Sequence, residues 1–551
     1  MKSYKAWIWR IAVVLVWAFV LFYINLPPLN PTDPAFWEYL LEVAAFFIVT
    51  LFINKHRLQA LLKKDVSVSA HMLPAQKLGK RVKIALGCAL AVVAAIGIVD
   101  LVQSPVLNAK AYHNRITIDE NGNFAEDVQP ADFSQIPLLD KDSSEKLGDR
   151  VMGQMTEWVS QFTVSDLYTQ INFKNEITRV TPLEYADWIK YFTNRSEGVK
   201  GYIKVNSVTG AAELVKLDKG MRYMPSALFF EDLERKLRFS YPATIFGSPS
   251  FEVDNEGNPY WVVPTLQYVG VGLRKDVSGV VILDPITGES AKYAVADVPT
   301  WVDHVYPSDL IMEQTDNWGE YKNGFWNSLF GQKNVVITTQ GYNYTVMKDD
   351  VYMYTGITSV ASDQSIIGFI LCNLRTKDTV FYKVSGAEEY SAMSSAEGQV
   401  QQMKYNASFP LLINLNDRPT YLMSLKDNSD LVKMYAFVDV VDYQKVVVTD
   451  TAKGIDAAAA NYLAQITGGQ TAQEEEPSQP VQTHKKEITI ASIRSASIDG
   501  TSYYYLTDTV DKKYVVSVKV DKNAIPFWEK GDTVIIGYTQ ESDVTEITAL
   551  F

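Results

Sequence analysis

Cysteine is almost absent from this chain, which has two, Cys88 and Cys372, in 551 residues. Cys88 lies within an apolar stretch and Cys372 within a predicted strand, so we expect no disulfide between them. An exported body of roughly 450 residues can bury a core without covalent crosslinks. For an exported chain, the lack of disulfides favours an origin in a bacterium that does not depend on oxidative folding at its surface. A Gram-positive organism is favoured among these.

Signatures of catalysis are also missing. The five histidines are scattered, and there is no Gly-rich phosphate loop, no G-x-S-x-G, no Cys/His pair and no H-E-x-x-H. Phe246-Gly-Ser-Pro-Ser250 lacks the second glycine of a nucleophile elbow, and Asp303-His304 is an isolated pair. We therefore predict no catalytic, cofactor-binding or metal-binding residues, no cofactor, and a protein that is not an enzyme. Carboxylates are numerous, so a glycosidase with two paired acids stays open.

Two short acidic strings come near to calcium-loop patterns, Asp119-Glu-Asn-Gly122-Asn123 and Asp254-Asn-Glu-Gly257-Asn258. Neither has the ligand spacing or the late bidentate Glu of an EF-hand. Because Asn and Gly pairs between apolar runs supply the positive φ of tight turns, we predict a hairpin at each.

Three apolar stretches stand out in the first hundred residues, Trp7–Asn25, Phe36–Asn54 and Lys83–Val102. Each is long enough to cross a ~30 Å hydrocarbon core, and no small-residue cleavage site follows the first. We therefore predict three transmembrane helices within residues 1–103. Basic residues precede the first stretch and fill the loop between the second and third, which places the N-terminus in the cytoplasm and residues 104–551 outside it.

Charge is divided unevenly along the chain. Residues 1–103 hold eleven Lys and Arg against five Asp and Glu, a net charge of +6, whereas the whole chain carries −13, so residues 104–551 carry −19. Such an acidic body disfavours nucleic acid and an anionic membrane surface as its partner. Solubility explains the charge, and a cationic partner is the alternative.

Glu38 and Glu42 lie four residues apart in the second apolar stretch and so share one helix face. A carboxylate near the middle of a bilayer costs about 2.5–3.5 kcal/mol, which makes Glu42 the more unusual of the two. Either it contacts a partner helix or it is an interfacial residue that reaches water.

In the third stretch, small residues at Gly87, Ala91 and Ala95 would let another helix approach.

One phrase occurs three times, as an apolar strand that begins at a Gly and ends in an Asx-x-x-Thr turn. The copies are Gly201–Gly210, Gly279–Gly288 and Gly368–Lys377. A repeated strand-turn-strand phrase predicts a repeated fold unit. In the third copy Lys377 stands where the others have Gly, at a cost of about 1 kcal/mol if its backbone is left-handed.

The phrase and its surroundings resemble PepSY-type domains, small α+β units of exported bacterial proteins, and Gly279–Glu289 is the best match. The whole arrangement is similar to membrane proteins of Firmicutes. In the families that carry them, such units are associated with binding or restraining peptidases and with cell-envelope regulation. The resemblance implies no catalytic residues.

Each unit is predicted to begin with a helix, at Ser144–Phe162, Ser226–Phe239 and Asp316–Phe330, and Ser391–Lys404 also reads as a helix. The fold class is therefore α+β, with three transmembrane helices, tandem PepSY-like helix-plus-antiparallel-sheet units and a small C-terminal β-barrel. The predicted divisions are a membrane anchor (1–103), a connector (104–142), unit 1 (143–222), unit 2 (223–315), unit 3 (316–390), a possible degenerate fourth unit (391–467), a flexible linker (468–486) and an OB- or SH3-like barrel (487–551).

Aromatic residues give two ambiguous signals. Trp318, Tyr321, Phe325 and Leu329 fall at helical spacing, which is more typical of a core than of a carbohydrate platform. Tyr503, Tyr504 and Tyr505 put aromatic rings on both faces of one predicted strand, where packing is favoured over stacking on a sugar or base.

The sequence thus predicts a membrane-embedded, extracytoplasmic binding, scaffolding or regulatory protein of the bacterial cell envelope, with a protein or peptide partner and no nucleic acid. Its ligand and oligomeric state are not encoded in any recognisable pattern. Two other classes stay open. One is a hydrolase of envelope polymer or peptide, and the other is an accessory subunit of a membrane complex in which Glu42 faces a partner helix.

Overall fold

The structure is a computed structural model that describes residues 2–52, 80–347, 349–360, 365–466, 484–498, 501–518, 520–521, 524–538, 544–547 and 549–550. Most of the predicted basic loop after the second apolar stretch and most of the predicted linker lie outside these residues. The chain forms two compact units, Met1–Tyr462 and Leu463–Phe551.

The first part of the chain is helical. Its helices are α1 (Lys2–Asn25), α2 (Pro34–Phe52), α3 (Lys80–Gln103), α4 (Pro105–His113) and the one-turn α5 (Phe124–Asp127). The later helices are α6 (Lys141–Gly153), α7 (Trp188–Asn194), α8 (Leu233–Ser240), α9 (Ser308–Glu320), α10 (Glu389–Gln399) and α11 (Ile455–Ile466).

The prediction of three membrane spans is wrong, and with it the multi-pass topology and the three-helix anchor in the predicted fold class. Among the described residues one helix, Trp7–Asn25, is long and apolar enough to be a membrane span or a signal sequence. The count reaches two only if the bent pair Ala89–Gln103 and Pro105–His113 is one span, and that pair is bent by 49°. The bend follows Gln103, just after the predicted third stretch, and hydropathy alone gives no sign of it. In α2, the carboxylates of Glu38 and Glu42 interrupt the apolar stretch.

Four sheets follow in chain order, and each is built around five consecutive antiparallel strands. The first contains β2 (Phe162–Val164), β3 (Thr169–Phe173), β4 (Glu176–Tyr185), β5 (Val199–Asn206) and β6 (Ala212–Met221). The second contains β7 (Ile245–Phe246), β8 (Ser250–Val253), β9 (Pro259–Gln267), β10 (Asp276–Leu283) and β11 (Ser290–Tyr293).

The third contains β12 (Val336–Thr338), β13 (Asn343–Met347), β14 (Asp350–Ser359), β15 (Ser365–Asn373) and β16 (Thr379–Tyr382), to which β1 (Ile118–Gly122) and β17 (Gly386–Ala387) add at the edges. The fourth contains β18 (Asn406–Ala407), β19 (Leu411–Leu415), β20 (Arg418–Lys426), β21 (Val432–Asp439) and β22 (Val446–Asp450).

The four sheets have the same pairing scheme. In each, the third strand pairs with the first, the second and the fourth, and the fifth pairs with the fourth. One of the helices α6, α8, α9 and α10 precedes each sheet, and we name these four helix-plus-sheet segments repeat 1 (141–221), repeat 2 (233–293), repeat 3 (308–382) and repeat 4 (389–450). The long central strands are buried on both faces along most of their length. In β10, for example, Val281 and Leu283 belong to one buried cluster and Val280 and Ile282 to another, because successive side chains point to opposite faces of the sheet.

The repeated phrase forms the same turn in repeats 1 to 3. The side-chain Oδ1 of Asn206, Asp284 or Asn373 accepts hydrogen bonds from the backbone N–H groups two and three residues later, at 2.7 to 3.2 Å. The closing residue is left-handed in all three, including Lys377 at φ +68°. In repeat 4 the Oδ1 of Asp439 makes the equivalent bonds after β21.

Neighbouring repeats share their cores. One buried cluster joins apolar residues of repeats 1 and 2, such as Ile203 and Trp261, and another joins repeats 2 and 3, through Val280 and Ile370 among others. Each repeat is therefore stabilised by burying one face against the next, as a single small sheet could not do alone.

Several boundaries differ from the predicted ones. Helix α9 begins at Ser308, directly after the extended Pro307, and ends at Glu320, so it is not the predicted Asp316–Phe330 helix. The predicted hairpin at Asp119–Asn123 is instead strand β1, which runs parallel to β16.

The second compact unit carries a six-stranded sheet. Its strands are β23 (His484–Ile498), β24 (Thr501–Asp508), β25 (Lys513–Ser517), β26 (Thr533–Tyr538), β27 (Val544–Glu546) and β28 (Ala549–Leu550). The long β23 pairs with β26 through its first half and with β24 through its second. Ile488, Leu506 and Ile536 are among the residues of its core.

Candidate functional site

A cleft lies beside the C-terminal end of α1. One part of it has a volume of about 210 Å³ and lies between Leu26 and helix α8. A wider part, of about 360 Å³, extends to the start of α9. The two parts share Glu234, Phe246, Gly247 and Pro249, so we treat them as one site and call it the α8 cleft.

Helix α8 forms one wall because its sequence, Leu-Glu-Arg-Lys-Leu-Arg-Phe-Ser, has two faces. Leu233 and Leu237 belong to the buried core and also line the narrower part of the cleft. Glu234 and Arg238, likewise four residues apart, line it beside them. Asp232 starts the helix, and its side chain accepts a hydrogen bond from the backbone N–H of Arg235 at 2.8 Å. This capping fixes the direction in which Glu234 and Arg238 point.

Arg238 ties the cleft to the end of α1. Its Nε donates to the backbone oxygen of Leu26 at 2.9 Å, and its Nη1 donates to Pro242 O at 3.3 Å and to Thr244 O. The guanidinium also lies 5.2 Å from the ring centre of Phe246. Burial lowers the pKa of Arg238 to about 10, so the side chain keeps its positive charge at neutral pH.

Arg235 makes a second connection to α1. Its guanidinium lies 4.4 Å from the ring centre of Tyr23, and its Nε donates to Tyr23 O at 3.3 Å. After α1, the backbone N–H of Leu29 donates to Pro242 O at 2.7 Å. The end of the candidate membrane helix is therefore fixed to repeat 2, next to the cleft.

The wider part of the cleft combines charges of both signs with apolar walls. Glu234, Lys275 and Asp309 lie on its lining together with Leu266 and Leu310. Pockets with apolar walls and a few fixed polar groups are typical binding sites. The arrangement suits an extended chain with apolar and charged side chains better than a small ion.

The Asp303-His304 pair does not form an acid–base site. The His304 Nε2 lies 2.7 Å from Gln170 O, and its ring packs edge-on against Tyr344 at 5.7 Å. Asp303 points elsewhere and accepts a hydrogen bond from Asn172 N at 2.7 Å. The two neighbours in sequence thus have separate partners.

Asp303 instead meets a second carboxylate in the interior. Glu252 is fully buried, and its Oε2 accepts a hydrogen bond from the backbone N–H of Asp303 at 2.9 Å. Burial, and then the nearby charge of Glu252, raise the pKa of Asp303 well above its ordinary value. Because both side chains are sealed between repeats, substrate could not reach them.

Phe246-Gly-Ser-Pro-Ser250 forms the loop from β7 to β8 and contributes to the cleft. Ser248 lies on the lining, whereas the Ser250 hydroxyl donates to Glu252 Oε1 at 2.7 Å. The sequence excluded this segment as a nucleophile elbow. It gave no sign that the segment lines a cavity, because the other walls come from residues distant in the chain.

The predicted aromatic stripe is divided by the end of α9. Trp318 is buried, Gly324 takes φ +85°, and Leu329 lies in a separate turn with its side chain 54% exposed. The four residues therefore do not share one helix face. Among the tyrosines of β24, Tyr504 packs against the core and Tyr505 is exposed.

Glu42 has a partner within the chain. Asn25 Nδ2, at the end of α1, donates to Glu42 Oε2 at 3.2 Å.

Cys372 is a free, buried thiol in β15, where burial raises its pKa to about 12.

In the described part of the chain, no group of three His, Cys, Asp or Glu side chains could hold a metal ion. The features with functional potential are therefore the α8 cleft and the surfaces around it. The signal that could have identified the cleft is the Glu234/Arg238 spacing on a helix whose other face is apolar.

Comparisons with known proteins add little. No protein-family model matches the chain, and no curated protein matches it. Among solved structures it is similar to the sialidase of Trypanosoma rangeli in complex with 2,3-difluorosialic acid, at 8% sequence identity and a TM-score of 0.18. That alignment covers 70% of this chain and 53% of the sialidase, so the chain spans about half of the length of that protein. So low a TM-score carries no argument about fold or function.

Proposed function

We propose that the chain is a membrane-anchored, non-enzymatic protein of the bacterial cell envelope that binds a protein or peptide outside the cytoplasm. Helix α1 is the anchor, with its N-terminus in the cytoplasm because Lys2, Lys5 and Arg10 lie at its start. The body that follows lies outside. The resemblance of the repeated phrase to PepSY-type units supports binding or restraint of a partner.

The observation that carries this proposal is the α8 cleft. It lies where α1 joins repeat 2, and its walls offer both charges and apolar surface. A partner held there would be bound next to the membrane, which suits control of another envelope protein.

Photocrosslinking in native membranes tests the binding. A photoreactive amino acid replaces Glu234 or Asp309, two exposed residues of the cleft, and Asp218 on β6 serves as the exposed control outside it. We expect both cleft positions to capture the same protein or peptide and position 218 to capture none. Recovery of the chain alone, or equal capture at position 218, contradicts the proposal.

Topology has its own test. A protease added to intact cells should digest the body, and inverted membrane vesicles should protect it. The opposite result would place the body in the cytoplasm.

A hydrolase of envelope polymer or peptide is the second candidate, since Glu234 and Asp309 place two carboxylates on one cleft. Here E234Q and D309N should each abolish hydrolysis, because either change removes one of the two carboxylates. Hydrolysis that persists in both variants removes this candidate.

A further inference from the structure

An exposed apolar surface lies on helix α7 and in the turn that precedes α8. It consists of Trp188, Ile189 and Phe192 on α7 and of Phe229 and Phe230 in the turn before α8. Each of these five side chains is between 47% and 64% exposed. We call them the aromatic surface. Contiguous apolar groups of this kind mark a contact with a partner or a membrane.

Ring contacts join three of the five side chains. The rings of Trp188 and Phe192 are 6.4 Å apart, and those of Phe192 and Phe229 are 6.2 Å apart. Phe230 follows directly in the chain. Tyr191, on the opposite side of α7, is fully buried, so the exposed side chains are the outer face of a helix that is packed on the body.

This surface continues into α1. The ring of Phe230 lies 5.6 Å from Tyr23 and 5.4 Å from Phe239, and Phe239 lies 5.4 Å from Phe22. The guanidinium of Arg235 joins the two parts, since it lies over Tyr23 and donates to Phe229 O at 2.7 Å. The aromatic surface therefore lies beside the C-terminal end of α1.

The backbone holds Phe229 outward at a conformational cost. Its φ is +57°, a value that bulky side chains seldom adopt. No burial within the chain compensates for it, because half of the side chain is exposed. A strained and exposed aromatic residue is expected where an external contact uses it.

We infer that the aromatic surface lies in the interfacial layer of the lipid bilayer, beside α1. This rests on the proposed function, in which α1 is the anchor. Trp and other aromatic residues favour the level of the lipid headgroups, and Lys190 on the same short helix can extend toward lipid phosphate. The contact fixes the body against the membrane, so that the α8 cleft is held at a constant height above it.

The test uses the full chain in nanodiscs of phosphatidylcholine and phosphatidylglycerol, with both native cysteines replaced by alanine. A polarity-sensitive dye is attached in turn to F192C in the aromatic surface, to L15C in α1 and to V441C, an exposed apolar position in repeat 4. Circular dichroism and the thermal unfolding curve show whether each labelled variant is folded.

We expect the dye at positions 192 and 15 to shift its emission to the blue and to lose intensity when the lipids carry a nitroxide, and the dye at position 441 to do neither. If the dye at position 15 is quenched but the dye at position 192 keeps its emission in water, the inference fails while the anchor stands. If the emission at position 192 shifts without quenching by lipid, a protein surface or second copy covers the site and the inference is wrong. If the dye at position 15 is not quenched, the anchor and the inference both fail.

Discussion

At the scale of single residues, Glu389 combines complete burial with an incomplete set of hydrogen bonds. Its Oε1 accepts from Gly356 N at 2.8 Å. Its Oε2, like the nearby hydroxyl of Tyr354, has no partner among the described residues. Burial raises the pKa of Glu389 to about 7. A neutral carboxylic acid suits this site because its O–H can donate, whereas a carboxylate cannot.

The raised pKa predicts a loss of stability as the pH rises. In the unfolded chain Glu389 titrates near 4.5, so between this value and about 7 the folded state binds more protons. The free energy of unfolding therefore falls across this window, by about 3 kcal/mol in total from this group. E389Q should be more stable than the wild type at pH 8 and equal to it at pH 4.

Denaturant unfolding at pH 4, 6 and 8 measures this difference. D218N, which changes an exposed carboxylate of β6, is the control and should leave the pH profile unchanged. If E389Q is destabilised equally at all three pH values, ionisation of the buried Glu389 carboxyl is not what lowers the stability at high pH.

Lys377 shows what a sequence can and cannot predict about one residue. The repeated phrase identified it as a left-handed position without glycine, and φ is +68°. The compensating contact was not predictable, because the Lys377 Nζ donates to Asp276 Oδ1 and to Arg115 O, both at 3.0 Å, across long stretches of chain. The local strain is visible in sequence, and the contact that offsets it is not.

At the scale of elements, the glycine that begins each repeated phrase has a steric cause. A Cβ on Gly279 would lie 2.1 Å from the carbonyl oxygen of Tyr293, and one on Gly368 would lie 2.3 Å from that of Tyr382. In both cases the next strand of the sheet approaches so closely that only glycine fits.

G279A should therefore cost about 1–3 kcal/mol in the free energy of unfolding, since β10 or β11 must move. G398A in α10 is the matched control, because a Cβ there has no atom within 4 Å and alanine favours helix by up to about 1 kcal/mol. Chemical denaturation of both variants compares the two. A G279A chain as stable as the wild type would remove the steric explanation.

Turns were more predictable than pairings between distant segments. The Asp254 turn joins β8 and β9 as predicted, with the Asp254 side chain accepting from Glu256 N at 3.0 Å. The Asp119 string has similar composition, yet it became the parallel strand β1 because β16 offers it a free edge. Turn chemistry is local, whereas the choice of a strand partner depends on the whole sheet.

At the scale of the whole Met1–Tyr462 unit, the α8 cleft illustrates the limit of sequence analysis. Its walls extend from Leu26 to Leu310, so no local pattern could have joined them. The same unit also brings its first and last repeats together. Ser424 Oγ donates to Leu138 O at 2.6 Å, and Ser143 Oγ donates to Asp430 O at 3.3 Å.

Lys426 is the centre of this contact between repeats 1 and 4. Its side chain is 7% exposed and pairs with Asp140, and also with Asp142 at 3.2 Å. Burial alone would raise the pKa of Asp140, but its hydrogen bonds with Lys426 and Ser143 outweigh this effect and lower it. The carboxylate is therefore ionised in the folded protein and stabilises it above the unfolded pKa.

K426M should lower the free energy of unfolding at pH 7 by about 2–3 kcal/mol, less than for a fully buried pair because Asp140 is partly exposed. Adding D140N should restore part of the loss, since it removes the uncompensated charge while its side-chain oxygen can still cap α6. The difference between K426M and the wild type should shrink as the pH falls through the lowered pKa of Asp140, because protonation of Asp140 removes the ion pair in the wild type and the uncompensated charge in K426M.

Hydrogen exchange locates the effect. In K426M the amides of α6 and of β20 should lose protection together, because the pair joins repeat 1 to repeat 4, whereas those of α9 in repeat 3 should change less. If the double variant is no more stable than K426M, or if α6 keeps its protection, the contact does not couple the first and last repeats. The Lys426 ion pair would then stabilise only its own surroundings in β20.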